Sequence, residues 1–191
     1  MKVRVEGRPQ YLNLILTDPD GIEISRAWIT EDDLLDGIKT VKLKMANYGE
    51  TPKGGIYTLI IKKSYGDVLF TKKLSFNGAN VSINEVRFEY QYWERFKDCK
   101  YTIEKIKLNI SNNGDLPAIV DRALVTIDGD VVKVSFYPRK ALLPNSTNKV
   151  EEPFRIAPPF CLKLGTYKVV VGLYSEKKLL TSYETEITLK K

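Results

Sequence analysis

Apolar and polar residues alternate with a period of two along most of the chain, the spacing of half-buried β-strands. The pattern predicts strands at Tyr11–Thr17, Glu23–Ile29, Lys39–Ala46, Ile56–Lys63, Val68–Phe76, Asn84–Trp93, Tyr101–Ser111, Arg122–Ile127, Val131–Tyr137, Tyr167–Tyr174 and Leu180–Leu189. Turn-forming residues punctuate them: Asp18-Pro19-Asp20-Gly21, Tyr65-Gly66-Asp67, Asn77-Gly78, Asn113-Gly114-Asp115 and Asp128-Gly129-Asp130. Short strands at this spacing, with no helical pattern between them, argue for all-β sandwiches. One short helix is predicted, with Thr30 as N-cap, Asp33 in the capping-box position, Leu34 and Leu35 following, and Gly37 as the stop.

The chain also repeats itself. Lys42-Leu43-x-x-x-Asn47-x-Gly49-Glu50-x-Pro52 returns 65 residues later as Lys107-Leu108-x-x-x-Asn112-x-Gly114-Asp115-x-Pro117. Leu59 and Ile61 then fall on Leu124 and Thr126, and Phe88 falls on Phe154. In each copy a strand ends, Asn and Gly are read as a left-handed turn, and Pro sets the exit of the chain. A period of this length is too long for a solenoid. It predicts two tandem sandwiches, residues 1–98 and 99–191. The first copy lacks its closing hairpin. Residues 10–29 are read as the hairpin that completes the first sandwich, the alternative being the tail of a preceding repeat.

The strand–Asn-x-Gly-x-x-Pro–strand pattern, followed by Leu143-Pro144 and by Gly165-Thr166-Tyr167-Lys168-Val169-Val170-Val171, resembles the CARDB-type domains of archaeal and bacterial surface proteins. Those are immunoglobulin-like sandwiches related broadly to fibronectin type III modules. The pattern departs from the family at Asn145, where a Gly is common, and at Phe154, where a Trp is frequent. The resemblance implies two tandem immunoglobulin-like antiparallel sandwiches. It also implies a non-catalytic structural or adhesion-type module of a prokaryotic, archaeal surface protein. In such a layout Cys99 and Cys161 fall at the same end, on strands of facing sheets. They are then either a disulfide or two unpaired buried thiols.

Composition narrows the chemistry. The 191 residues include no histidine, which removes the commonest general base and metal ligand, and only two cysteines. The net charge is +6, with 15 Lys+Arg against 14 Asp+Glu in residues 1–98 and 15 against 10 in residues 99–191. A basic second half could attract nucleic acid. The lysines, however, come as scattered pairs on alternating segments (Lys62-Lys63, Lys72-Lys73, Lys177-Lys178), as on a solvated face that guards sheet edges. Abundant Lys, Ile and Glu hint at a thermophile. Residues 1–10 are charged throughout and lack the apolar region of a signal peptide, and no apolar run spans a bilayer. The expectation is a cell-surface location if a signal and anchor lie outside these residues, and a cytoplasmic one otherwise.

Candidate sites are few. No G-x-S-x-G string is present, and Ser64, Ser111 and Ser146 are read as turn residues. No catalytic, cofactor or metal residue is assigned, and the protein is read as not an enzyme. The acidic groups Asp18/Asp20, Glu31/Asp32/Asp33 and Asp128/Asp130 could meet calcium, but Asp is equally a turn and N-cap residue. Val86, Phe88, Tyr90 and Tyr92 form one face of a strand; Arg87, Glu89, Gln91 and Trp93 form the other. Stacking of single-stranded nucleic acid is weighed there against ordinary core packing. Trp93, with Tyr92 and Phe96, is placed at the domain junction. Asn80, Asn109 and Asn145 head N-x-S/T sequons. Of these, Asn145 and Asn80 are candidate glycosylation sites, and Asn109 is excluded as mid-strand. Val132, Val134 and Phe136 mark a candidate interaction edge, through which a protein partner or a second copy would pair. The alternative is an intracellular adaptor or nucleic-acid-binding protein that uses the basic second half.

Overall fold

Alternation becomes strand almost wherever it is unbroken. The structure, a computed structural model, describes residues 2–4, 11–30, 38–41, 43, 51–93, 99–154 and 161–190. Among these there are fourteen strands and no helix. They form three four-stranded antiparallel sheets and one two-stranded pair. The helix expected after Thr30 lies outside the described residues.

The chain divides into two compact units, Met1–Gly78 and Ala79–Lys191. The expected division after residue 98 is therefore moved. The reason is pairing: β7 (Val81–Tyr92) runs antiparallel to β8 (Tyr101–Asn112), from Val81↔Asn112 to Tyr92↔Tyr101. An eight-residue link between two strands so fully hydrogen-bonded cannot be an inter-domain linker.

In the first unit, β1 (Lys2–Arg4) pairs β4 (Ile38–Thr40). The main sheet has the order β3-β2-β5-β6, built from β2 (Leu12–Thr17), β3 (Glu23–Ile29), β5 (Gly55–Lys63) and β6 (Val68–Phe76). The 12–29 hairpin thus joins this sheet through β2 and β5, register Leu14↔Ile61. Leu12, Leu14 and Ile29 form a small core with Val41. The described residues of this unit contain one four-stranded sheet and the β1–β4 pair, not the two large facing sheets expected of a complete tandem copy.

The second unit is a sandwich. One sheet centres on β8, flanked by β7 on one side and by β11 (Ser146–Pro153) and β12 (Cys161–Leu162) on the other. The other has the order β10-β9-β13-β14, from β9 (Ala118–Ile127), β10 (Asp130–Leu142), β13 (Gly165–Ser175) and β14 (Lys178–Leu189). Ile106, Leu108 and Ile110 of the first sheet share a core with Val125, Val169, Val171 and Leu173 of the second. β11 escapes the sequence pattern because only Val150 of its eight residues is buried. The Phe88 and Phe154 pair of the repeat does not mark two domains. Both rings lie in this one core, their centroids 6.3 Å apart.

Candidate functional site

The Asn-Gly-Pro motif is the natural place to look for chemistry, and its asparagine is fully buried. Asn112 Nδ2 donates to the carbonyls of Leu116 (2.8 Å) and Leu142 (3.0 Å), and Oδ1 accepts from the amides of Asn80 (3.0 Å) and Gly114 (3.1 Å). All four bonds go to backbone. The motif is a brace between strands, because a buried amide must find partners for its donors and acceptor. Neither Asn113 nor Gly114 is among the residues with positive φ, so the expected left-handed turn is absent here. It occurs instead at Asp128 (φ 47°) and Gly129 (φ 100°), in the two-residue loop between β9 and β10.

The Gly-x-Tyr string forms a second brace. The Tyr167 hydroxyl accepts from the Lys163 amide at 2.9 Å and donates to the Lys163 carbonyl at 3.1 Å, binding the start of β13 to the segment before it. This is the arrangement of a tyrosine corner.

Cys99 and Cys161 form a disulfide, with Cα atoms 5.0 Å apart. They are not on facing sheets, as the sandwich layout suggested. Residues 161–162 pair with the start of β8, Cys161↔Thr102 and Leu162↔Tyr101, and Cys99 lies two residues before β8, so the bond is made at the end of one sheet. Beside them lies a cleft of about 720 Å³ lined by Gln91, Trp93, Thr102, Glu104 and Phe154 among others. Trp93 Nε1 donates to Thr102 Oγ1 at 3.0 Å, fixing the ring as one wall. Trp93 directly follows β7 inside the second unit, in sequence well past the Gly78–Ala79 division; Phe96 lies outside the described residues. Of the aromatic face, Phe88 and Tyr90 pack against the core, and Tyr90 and Tyr92 meet Tyr101 edge-on or tilted. Burial pushes the Tyr90 phenol up to about 12.

The outer face of the β7–β8–β11 sheet is laced with ion pairs. Glu89 holds Lys107 (2.5 Å) and Lys105 (3.4 Å), Glu151 also meets Lys107 (3.4 Å), and Arg87 meets Glu85 (2.6 Å). The hydrogen bond from Lys107 lowers the Glu89 carboxyl, and Glu89 in turn raises Lys107. Much of the positive charge on this face thus already has a protein counter-ion.

The candidate edge is altered in detail. β10 is an edge strand, but Val132, Val134 and Phe136 are 6%, 3% and 3% exposed and face the core. Parity decides this: the alternate residues Val131, Lys133 and Ser135 point outward, with Tyr137 in the irregularity that follows Ser135. Sequence reasoning missed a second edge, β6, where Val68, Leu69 and Phe70 are all exposed. The signal was three consecutive apolar residues after a Gly-Asp turn, ahead of the Lys72-Lys73 guard.

The acidic candidates serve turns. Asp18 Oδ1 accepts from the amides of Asp20 (3.0 Å) and Ile22 (2.8 Å), and Asp128 Oδ1 accepts from the Lys168 amide (2.9 Å). Among the described residues no cluster of His, Cys, Asp or Glu could hold a metal ion. Residues 31–33 lie outside them. Ser111 and Ser146 lie in strands β8 and β11, not in turns. Two Ser-x-x-Lys strings also run through the chain. In β11, Ser146 and Lys149 are three apart and so point to opposite faces, and the Ser146 hydroxyl donates to the Leu143 carbonyl at 2.6 Å. Ser175 and Lys178 close the β13–β14 hairpin as register partners. Asn80 and Asn145 are exposed, whereas Asn109 keeps its Oδ1 buried in mid-strand. No helix among the described residues is long and apolar enough to cross a membrane.

No protein-family model and no curated protein matches the chain. Among solved structures it is similar to a β-glucuronidase from glycoside hydrolase family 2, at 12% identity and a TM-score of 0.45. The likeness covers 95% of this chain and 21% of that one, so the chain spans about a fifth of that protein's length.

Proposed function

We propose that this chain is a non-catalytic interaction module whose second unit is an immunoglobulin-like sandwich of the CARDB or fibronectin type III kind, serving a structural or adhesive role at a prokaryotic cell surface. One observation carries the reading. The motif residues Asn112 and Tyr167 spend their polar atoms on backbone groups, bracing the sandwich and leaving none for a substrate. The disulfide supports an oxidising compartment, where such bonds persist. The contact surface assigned to this role is the β6 edge, because an edge strand with exposed Val68, Leu69 and Phe70 is a template for strand addition. Nucleic-acid binding by the basic second half is the weaker reading, since Lys105, Lys107, Lys140 and Lys168 each have a carboxylate partner.

Two measurements on the full chain test this. Sedimentation velocity should show concentration-dependent self-association that Leu69→Lys reduces at least tenfold, with the fold unchanged by circular dichroism. An unaltered monomer for both proteins would remove the self-pairing edge. Titration with DNA and RNA at two salt concentrations should show no saturable binding; submicromolar, steeply salt-dependent binding would overturn the adhesive reading.

A further inference from the structure

The three sequons are distributed unevenly over the fold. Register places Val81, Asn112 and Ser146 side by side across β7, β8 and β11. Asn80 and Asn145 immediately precede Val81 and Ser146, so they flank Asn112 at one end of this sheet. Asn112 holds that end in shape, accepting from the Asn80 amide and donating to the carbonyl of Leu142, three residues before Asn145. Both asparagines are exposed. Asn145 lies in the loop that carries the chain from β10 in one sheet to β11 in the other, with φ 52°, two residues after Leu143, which is 63% exposed. Asn109 differs in each respect. It lies inside β8, paired on both sides with Glu85 and Lys149, and its Oδ1 is buried without a partner. A sugar on Asn109 would have to push aside the flanking Glu85 and Lys149 side chains in the middle of the sheet. The disulfide lies at the other end of β8, roughly 35 Å away at about 3.3 Å per residue.

We infer that Asn145 and Asn80 are N-glycan acceptors, that Asn109 is not, and that the second unit therefore carries carbohydrate at one end only, opposite its disulfide. The transfer forms a bond from the glycan C1 to asparagine Nδ2, which loses one proton. The leaving group is the lipid pyrophosphate of a lipid-linked oligosaccharide donor. The hydroxyl required two residues on is Ser82 for Asn80 and Thr147 for Asn145. The inference rests on the surface reading of the preceding section, since only a secreted chain meets such a donor.

The test is to secrete the full chain from a eukaryotic host with N-glycosylation and weigh it intact before and after an amide-cleaving glycosidase. Two glycans are expected. N80Q and N145Q should each remove one, as should S82A and T147A, which leave the asparagines in place; N109Q should remove none. A secreted, folded chain without glycans, while a control glycoprotein in the same cells is modified, overturns the inference and leaves the edge-strand reading to its own test. A glycan found on Asn109 overturns it as well.

Discussion

Asn112 Nδ2 donates to the carbonyl of Leu142 across 3.0 Å, joining the last residue of β8 in one sheet to the last residue of β10 in the other. One amide side chain thereby ties the two layers of the sandwich at the end where the chain also enters from Asn80. Asn112→Ala should leave two amides and two carbonyls without partners. At about 1–3 kcal/mol for each such group that stays dry, the second unit should lose about 3–5 kcal/mol in urea unfolding. Asn112→Asp is the sharper probe. It keeps both acceptor bonds but sets a carboxylate against two carbonyls, so its stability should improve as the acid protonates. A loss below about 1 kcal/mol for Asn112→Ala would show that the brace is dispensable.

Reduction or Cys161→Ser should cost about 4 kcal/mol in the chain-entropy model for a bond closing residues 99 to 161, read as a fall in the denaturant midpoint. Thiol titration of the unfolded, unreduced chain should find no free thiol. Finding two would mean that the bond does not form in solution.

Phe136→Ala should destabilise by about 3–5 kcal/mol, because its ring is in the core, whereas Val131→Ala, one strand face away, should change stability by less than about 0.5 kcal/mol. Equal effects from the two would contradict the inward facing of Val132, Val134 and Phe136.

Stability should depend on pH at both extremes. Glu89 titrates below its ordinary value in the fold, so its contribution is present above the usual carboxylate range and is lost as pH falls through the lowered value. Lys107 is raised, so its contribution holds below about 10.5 and is lost as pH climbs through the raised value. Tyr90, raised to about 12, adds a second alkaline loss: between pH 10 and about 12 the unfolded chain ionises this phenol and the fold resists it. Burial also raises the Tyr57 phenol, so ultraviolet titration should show more than one late phenol, with a single one of them lost in Tyr90→Phe. If Tyr90 ionises with the exposed tyrosines, its burial is not maintained in solution.

Much of the β-architecture is legible along the chain. Tyr101–Asn112 and Glu23–Ile29 were legible to within a residue or two because a strand that buries mainly one face writes its burial into residue order. Leu12–Thr17, buried on both faces, and Val68–Phe76, with no buried residue, were marked instead by short β-rich runs between turn residues. Asp128-Gly129 marked its hairpin because only such residues accept positive φ at low cost. β11 was illegible, since a strand with one buried side chain has no pattern to read. Inward facing at Val132 and Phe136, partnering of Cys161 with the β8 sheet, and membership of β7 in the second unit depend on which strands meet. The same holds for Asn112. Its residue type suggested a turn, and only the approach of Asn80, Leu116 and Leu142, from positions far apart or just beyond the strand end, made it a buried brace. Residue order determined the local preference for strand and turn; tertiary structure decided the partners, because hydrogen-bond satisfaction and core packing are settled between segments and not within them.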